Sequence, residues 1–342
     1  MKKVMFCYGI RPEIIKLSPV IREAQKEFDV LTVFSGQHTS LYDDVKDLVP
    51  KPTYDFPARR EGSGLTEFMC TFGTQFDQIV RQENPDMVIV QGDTATAYMA
   101  AVTAFHAGVK VGHVEAGLRT YDVMSPFPEE FYRRSISCMA SINWCPTEGA
   151  IKNLEEEAVA GVTVLTGNTI VDMVNSLELV PTVTNQVIVT LHRRENEAKF
   201  EEIVQSINRL AKYDCPSLEF LFPAHPSPQV QRALGAVTAL NFKVVPPMGY
   251  REFMKALASC QFVVSDSGGI QEEACCLGKK ILVCRKNTER PEAVWAGYAK
   301  LVEADGLFDA MQWVYEPITS ANPFGDGTAS KKIVASLKEY LG

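Results

Sequence analysis

The stretch that decides the fold is VVSDSGGIQEE, residues 263–273. Its apolar start predicts a β-strand, its small polar centre a tight turn, and the residues that follow an α-helix. The first turn of a helix has unpaired N–H groups and the positive end of the helix dipole, which together suit a phosphate. Two glycines would let a diphosphate approach the backbone closely.

Four residues of this stretch are candidate ligands of a nucleotide. Ser267, Gly268 and Gly269 would bind a diphosphate, and Glu273, one turn into the helix, could accept hydrogen bonds from ribose hydroxyls. The alternative is an ordinary β–α turn with a serine cap, which is the commoner use of such a turn.

Apolar strands alternate with helical patterns over almost the whole chain of 342 residues. Continuous Val, Ile and Leu strands between helices indicate parallel sheets covered on both faces. The pattern restarts after a proline-containing stretch, 176–184, which is the predicted linker. The predicted fold class is therefore α/β, with two Rossmann-like, doubly wound parallel-sheet domains at 1–175 and 185–327. The predicted strands are 4–8, 30–34, 87–90, 109–114, 142–145 and 162–165, then 187–190, 218–222, 242–245, 262–264 and 280–283.

Composition and motifs exclude several classes of function. The net charge of −8 argues against a nucleic-acid partner, because phosphates need a basic surface. No apolar run approaches the roughly 20 residues of a membrane span, so no membrane partner is expected. The chain contains neither a Gly-x-Gly-x-x-Gly motif nor a P-loop, so a dehydrogenase or a P-loop kinase has no support.

The nine cysteines lie at no spacing typical of a metal or redox site. Most of them fall in apolar runs, which predicts buried thiols in a reducing compartment and hence a cytoplasmic protein. These are Cys7, Cys138, Cys145, Cys260, Cys276 and Cys284.

Charged residues follow several strands of the first half. Arg11 and Lys16 flank a predicted helix start, where cations are unfavourable unless an anion binds there; the alternative is that both are merely solvated. Asp93 and Glu115 each follow a strand, and Glu129 begins a helix after Pro-Phe-Pro. Capping could explain Asp93 and Glu129, whereas Glu115 has no capping role that the sequence reveals.

Carboxylates on successive β–α loops lie at the same edge of a parallel sheet, the edge formed by the carboxyl ends of its strands. Ligands of such sheets bind at that edge. Like-charged carboxylates held close raise one another's pKa, which yields an acid and a base at neutral pH. The set Asp93, Glu115 and Glu129 therefore favours proton transfer on a sugar.

The second half adds positive charge after its strands. His192 and Arg194 follow the first of them, His225 follows the second, and Arg290 lies in a later segment. A lone histidine is more often structural, but two at successive strand ends favour a functional role.

Taken together, these segments resemble the non-hydrolysing UDP-N-acetylglucosamine 2-epimerases in one order along nearly the whole chain. Each motif is short, but the series is specific. The motifs are GIRPEIIK (9–16), SGQH (35–38), QGDT (91–94), HVEAGLR (113–119), SPFPEE (125–130), PTE (146–148), GNT (167–169), HRREN (192–196), SDSGGIQEE (265–273), TERPEA (288–293) and NPFGDG (322–327).

The resemblance implies a fold of the glycosyltransferase-B type with an interdomain cleft and a C-terminal helix, 328–342, that joins the first domain. It implies a homodimer that needs no cofactor and no metal. It implies reversible conversion of UDP-N-acetylglucosamine (UDP-GlcNAc) to UDP-N-acetylmannosamine (UDP-ManNAc) for cell-surface polysaccharide. In the family, UDP leaves by anti elimination to give a 2-acetamidoglucal, and it adds back after a proton returns to the other face of C2.

Site residues follow from the resemblance position by position. Asp93, Glu115 and Glu129 match the catalytic acids, and His192 matches a site histidine. The other matches are substrate contacts: the cations Arg11, Lys16 and Arg290, Phe253 near the uracil, Met248 through its backbone, Ser267, Gly268 and Gly269 at the diphosphate, and Glu273 at the ribose.

Some features depart from the family or leave alternatives open. Many bacterial members need a second UDP-GlcNAc as activator, bound just after Gly-Gln-His, but a Gln or Glu common there is replaced by Ser40. We therefore expect UDP-ManNAc to be epimerised without added UDP-GlcNAc.

The alternatives to a non-hydrolysing 2-epimerase are a glycosyltransferase of the same architecture, a hydrolysing 2-epimerase, a silent UDP-sugar sensor, or an epimerase of a UDP-diacetamido-uronic acid.

Overall fold

The computed structural model describes residues 1–38, 42–60, 62–191, 196, 199–224, 228–235 and 237–342, without the side chains of 228, 229 and 231. The chain divides into two compact units. The first consists of Met1–Ser176 together with Gly325–Gly342, and the second of Leu177–Phe324.

The first unit contains a seven-stranded parallel sheet. Its strand order is β3-β2-β1-β4-β5-β6-β7, so the chain starts in the middle and winds outward in both directions. The direction reverses between β1 and β4, which pair from Val4↔Met87 to Phe6↔Ile89. The strands are β1 (Lys3–Tyr8), β2 (Asp29–Phe34), β3 (Tyr54–Asp55), β4 (Met87–Gln91), β5 (Lys110–Val114), β6 (Ile142–Cys145) and β7 (Val162–Leu165).

Helices cover both faces of this sheet, which is why its central strands are almost wholly apolar and buried. The C-terminal helix belongs to this unit. The first two N–H groups of this helix, those of Ala329 (3.1 Å) and Ser330 (2.9 Å), donate hydrogen bonds to the Asp172 carboxylate. The helices are α1 (Arg11–Ala24), α2 (Leu65–Glu83), α3 (Ala95–His106), α4 (Glu129–Met139), α5 (Glu148–Glu156), α6 (Thr169–Asn175) and α13 (Ala329–Leu341).

The second unit repeats the same winding with six parallel strands. Its order is β10-β9-β8-β11-β12-β13, and the direction reverses between β8 and β11. The strands are β8 (Gln186–Thr190), β9 (Glu219–Pro223), β10 (Phe242–Val245), β11 (Phe262–Ser265), β12 (Ile281–Val283) and β13 (Ala299–Leu301). The helices are α7 (Phe200–Arg209), α8 (Pro228–Leu234), α9 (Tyr250–Ser259), α10 (Gly268–Cys276), α11 (Pro291–Trp295) and α12 (Met311–Val314).

The two sheets confirm the predicted fold class of doubly wound parallel α/β structure. The prediction of a buried Cys138 is wrong, because this thiol is exposed. The buried residues of α4 include Tyr132, Ile136 and Ser137, and Cys138 follows them on the outer side of the helix. None of the helices described above is both long and apolar enough to cross a membrane.

Candidate active site

The candidate site of the first unit lies where the winding reverses. Ligands of open parallel sheets bind beyond the carboxyl ends of the strands at such a reversal. Here β1 and β4 are neighbouring strands, and β5 pairs with β4, with Gln91 opposite Val114. Asp93 lies in the turn after β4 and Glu115 in the turn after β5, and Arg11 begins α1 directly after the turn that follows β1.

Asp93 is held by a buried arginine rather than by a helix cap. Arg133 of α4 donates from Nε to Asp93 Oδ2 (2.9 Å) and makes a second contact to that oxygen from Nη2. The arginine side chain is 4% exposed and the Asp93 side chain 28% exposed, so the carboxylate remains open to a ligand. The cap of α3 is Thr94, whose Oγ1 accepts from the Ala97 N–H (3.0 Å). Capping therefore does not account for Asp93.

His113 fixes the turn that carries Asp93. It is fully buried on β5, and its Nε2 lies 2.8 Å from the carbonyl oxygen of Gly92, to which it donates. Gly92 has φ +69°, a conformation that favours glycine. Burial lowers the pKa of His113 to about 4, so the ring is neutral at physiological pH and acts as a hydrogen-bond donor to this turn.

Glu115 is paired with Lys16, and both side chains are nearly buried, at 8% and 7% exposure. Asn168 donates to the same carboxylate oxygen at 3.2 Å. Glu115 itself has φ +64°, which is unfavourable for a residue with a side chain and is typical of functional sites. Lys16 is therefore not merely solvated, because Glu115 of the protein supplies a negative charge beside it.

Glu13, which sequence reasoning did not single out, is fully buried near the start of α1. Its Oε2 accepts from the N–H groups of Gly9 (2.6 Å) and Ile10 (2.9 Å), and its Oε1 accepts from the Thr94 hydroxyl (2.5 Å). Burial raises the pKa of the Glu13 carboxyl to about 7, against the lowering effect of these three hydrogen bonds.

Glu129 is half-buried at the first residue of α4, where the helix dipole favours an acid. The adjacent Glu130 is fully buried and accepts from the N–H groups of Thr120 and Tyr121, both at 3.1 Å. Glu130 also accepts from Arg133 at 3.2 Å. The two acids of the Pro-Glu-Glu sequence thus differ. Glu130 is buried and bonded to other groups of the protein, whereas Glu129 is partly exposed to solvent.

In the second unit, the turn after β11 leads into α10 with Ser267 at the N-cap position. The Ser267 side chain makes no capping hydrogen bond. Serine capping therefore does not explain this turn, and the unpaired N–H groups of a helix's first turn suit an anion.

Arg290 packs against this helix start. A Cβ placed on Gly268 would lie 2.7 Å from Arg290 Nη1, so only glycine allows the guanidinium to come so close. The guanidinium is fixed by two buried acids, through Nε to Glu272 and through Nη1 to Glu289, each at 2.6 Å. The predicted proximity of Arg290 to the glycine turn is confirmed.

The other candidates of the second unit lie on separate elements. Met248 is half-buried before α9, Phe253 is half-buried within α9, and Glu273 is buried in α10. The predictions for His192, Arg194 and His225 fall outside the described residues.

A family model described as UDP-N-acetylglucosamine 2-epimerase matches residues 21–338. The chain is 37% identical to a putative UDP-N-acetylglucosamine 2-epimerase of Clostridium acetobutylicum, over 99% of this chain and 96% of the relative. Its fold is similar to the crystal structure of UDP-GlcNAc 2-epimerase from Neisseria meningitidis bound to UDP-GlcNAc, with TM-score 0.91, 34% identity and coverage of 98% and 100%. It is also similar to the Methanocaldococcus jannaschii UDP-GlcNAc 2-epimerase in complex with UDP-GlcNAc and UDP, with TM-score 0.86, 32% identity and coverage of 99% and 100%.

Proposed function

We propose that this chain, which belongs to the UDP-N-acetylglucosamine 2-epimerase family, interconverts UDP-GlcNAc and UDP-ManNAc without hydrolysing them. The observation that carries the proposal is the pair of anchored carboxylates on neighbouring strands. Asp93 is held by Arg133, and Glu115 is held by Lys16 at the adjacent strand end. Two acids fixed in this way suit the removal and return of a proton at a sugar carbon.

The proposed reaction is an elimination followed by a re-addition. A base takes the C2 proton while the C1–O bond to UDP breaks, which leaves a C1–C2 double bond in a 2-acetamidoglucal. An acid then returns a proton to the opposite face of C2, and UDP forms the C1–O bond again. Because the C2 proton is only weakly acidic, departure of UDP must build positive charge at C1, and nearby carboxylates stabilise that charge.

The first unit would supply the acid–base groups. Asp93, Glu115 and Glu129 are the proposed proton-transfer residues, and Arg11 and Lys16 the proposed cations of the sugar-phosphate region. The different settings of the acids support distinct roles, since Asp93 and Glu115 have cationic partners and Glu129 is at a helix start. His192 is proposed as a further site residue on the basis of the family motif alone.

The second unit would bind the nucleotide. The N–H groups at the start of α10 and the positive end of its dipole would bind a diphosphate, and the Arg290 guanidinium lies beside them. Glu273 would accept from the ribose hydroxyls, Phe253 would pack near the uracil, and the Met248 backbone would contact its edge.

Exchange in deuterated water tests the proposed reaction. Incubation of the protein with UDP-GlcNAc in D₂O is expected to yield UDP-ManNAc carrying deuterium at C2, because the proton returned to C2 comes from a group that exchanges with solvent. Proton NMR would show loss of the C2 proton signal with UDP still attached. Free N-acetylmannosamine and UDP would instead identify a hydrolysing enzyme. Transfer to an added acceptor without exchange would identify a glycosyltransferase.

Replacement of Gly269 by alanine tests the diphosphate site. A Cβ at Gly269 would meet no atom of the described residues within 4 Å, so the folded protein accommodates it. If a diphosphate lies against this backbone, the added methyl group would weaken UDP binding by about tenfold. Calorimetry with UDP measures the affinity, and thermal unfolding is expected to be unchanged.

Gly306→Ala is the matched control for this experiment. A Cβ at Gly306 also meets no atom of the described part of the chain within 4 Å, and this glycine lies in a separate short 3₁₀ helix, Ala304–Gly306. Both UDP affinity and thermal unfolding should match the unsubstituted protein. Normal UDP affinity in Gly269→Ala would show that the diphosphate does not approach this backbone.

A further inference from the structure

The turn after β1 and the turn after β4 are joined by a single buried side chain, that of Glu13. The residues it links are far apart in the chain, since Gly9 and Ile10 on one side are 85 and 84 positions from Thr94 on the other. The first turn leads directly to Arg11, and Thr94 directly follows Asp93. The carboxylate therefore connects the backbone segments that carry two proposed site residues.

We propose that Glu13 is a positioning residue that sets the spacing between the Arg11 turn and the Asp93 turn through its three hydrogen bonds. This inference rests on the proposed epimerisation. Glu13 does not contact the substrate, because its side chain is fully buried and its oxygens accept from protein donors. It acts through Thr94, whose hydroxyl donates to Glu13 and accepts from the Ala97 N–H at the start of α3.

The arrangement of the three bonds is that of a carboxylate. All three partners donate, and a carboxylate accepts at both oxygens when it is ionised, that is, above its pKa of about 7. Glutamine has the same shape but one acceptor oxygen and one NH₂ group. With its oxygen toward the Gly9 and Ile10 N–H groups, its NH₂ group would face the Thr94 hydroxyl, which can accept from it as well as from Ala97. Glu13→Gln therefore keeps the volume but reverses the Thr94 bond, and the hydroxyl proton loses the acceptor that it has in the unsubstituted protein.

The setting of Asp93 explains why this link matters for reaction rate. Among the described residues, the Asp93 turn is also held by the Gly92 N–H bond to the Val114 carbonyl (3.0 Å), the His113 bond to the Gly92 carbonyl and the Arg133 contact to the carboxylate. None of these three connects Asp93 to the turn that precedes Arg11. Acid–base groups work only within a narrow range of positions, and a displacement of about 1 Å can lower the rate about 10²-fold.

The test compares Glu13→Gln, Thr94→Val and Thr94→Ser in the full chain. Glu13→Gln and Thr94→Val are expected to lower kcat by about 10²-fold with KM for UDP-GlcNAc near its normal value. UDP affinity should change much less than kcat, since the proposed ligands of the uracil, the ribose and the diphosphate turn are in the second unit. Thr94→Ser keeps the hydroxyl and should keep kcat. The double variant Glu13→Gln/Thr94→Val should resemble the less active single variant, because both changes act on the same bond.

Thr147→Val controls for loss of a helix cap. Thr147 caps α5 in the same unit, with its hydroxyl accepting from the Ala150 N–H at 3.1 Å, as Thr94 caps α3. Thr147→Val should lower the Tm as Thr94→Val does but leave kcat unchanged. If the kcat losses of Glu13→Gln and Thr94→Val merely follow their Tm losses, or if Thr94→Ser is equally impaired, Glu13 has no positioning role.

The design separates this inference from the proposed function. An unsubstituted protein that exchanges no deuterium at C2 would overturn both. An unsubstituted protein that exchanges deuterium, beside fully active Glu13→Gln and Thr94→Val variants, would overturn only the role of Glu13. The Thr94 pair carries the test even if Glu13→Gln is too unstable to purify.

Discussion

Asp93→Asn is expected to lower the turnover of UDP-GlcNAc by about 10²–10⁴-fold, the range supplied by a positioned acid–base group. Asparagine has the same shape as aspartate, and its carbonyl oxygen can still accept from Arg133 at the position of Oδ2. It cannot accept or deliver a proton at neutral pH. The change therefore removes the chemistry of Asp93 and keeps most of its packing.

Two measurements check this expectation. The rate of deuterium incorporation at C2 should fall with the rate of epimerisation, because both depend on the same proton transfer. UDP affinity by calorimetry should stay normal, since Asp93 is proposed to act on the sugar and is not among the proposed ligands of the nucleotide. Near-normal turnover in Asp93→Asn would show that Asp93 does not transfer protons.

Asp77→Asn is the matched control for this substitution. Asp77 lies on α2 and pairs with Arg81 at 2.8 Å, so the same chemical change is made beside an arginine on the protein surface. An exposed pair of this kind contributes little to stability, because solvent screens it. The control should therefore have normal turnover and a nearly normal Tm.

Much of the fold could be predicted because strand and helix patterns are local. The apolar run before Gly9 and the run before Asp266 each predict a buried strand without information from elsewhere in the chain. The two-residue strand Tyr54–Asp55 carries no such pattern, because two residues cannot show a period. Its place at the sheet edge comes from pairing with Val33 and Phe34.

The candidate site was less predictable, because its side chains are partnered over long sequence distances. Glu115 was expected at a strand end, but its pairing with Lys16 joins residues 99 positions apart. The bond from Arg133 to Asp93 spans 40 positions. One signal was present for Glu13, since an acid three residues after Ile10 can bond back to the start of its own helix. Nothing local indicated Thr94 as its other partner.

Lys16→Met is expected to lower the free energy of unfolding by about 3 kcal/mol and to reduce turnover strongly. Methionine keeps the length and apolar stem of lysine but removes its charge. The Glu115 carboxylate, 8% exposed, would then be buried without its cation, and Asn168 at 3.2 Å supplies only a neutral hydrogen bond. Losing one partner of a buried ion pair costs more than losing both, because the remaining charge stays desolvated.

The double variant Lys16→Met/Glu115→Gln separates stability from catalysis. Removing both charges should restore most of the lost stability, because no buried charge is left uncompensated. Turnover should stay low, since a glutamine at position 115 cannot transfer a proton. Urea denaturation of the two single variants and the double variant gives the coupling between the side chains. If Lys16→Met is as stable as the unsubstituted protein, the ion pair does not stabilise the fold. If the double variant regains activity with its stability, neither Glu115 nor Lys16 takes part in the reaction and the pair is structural.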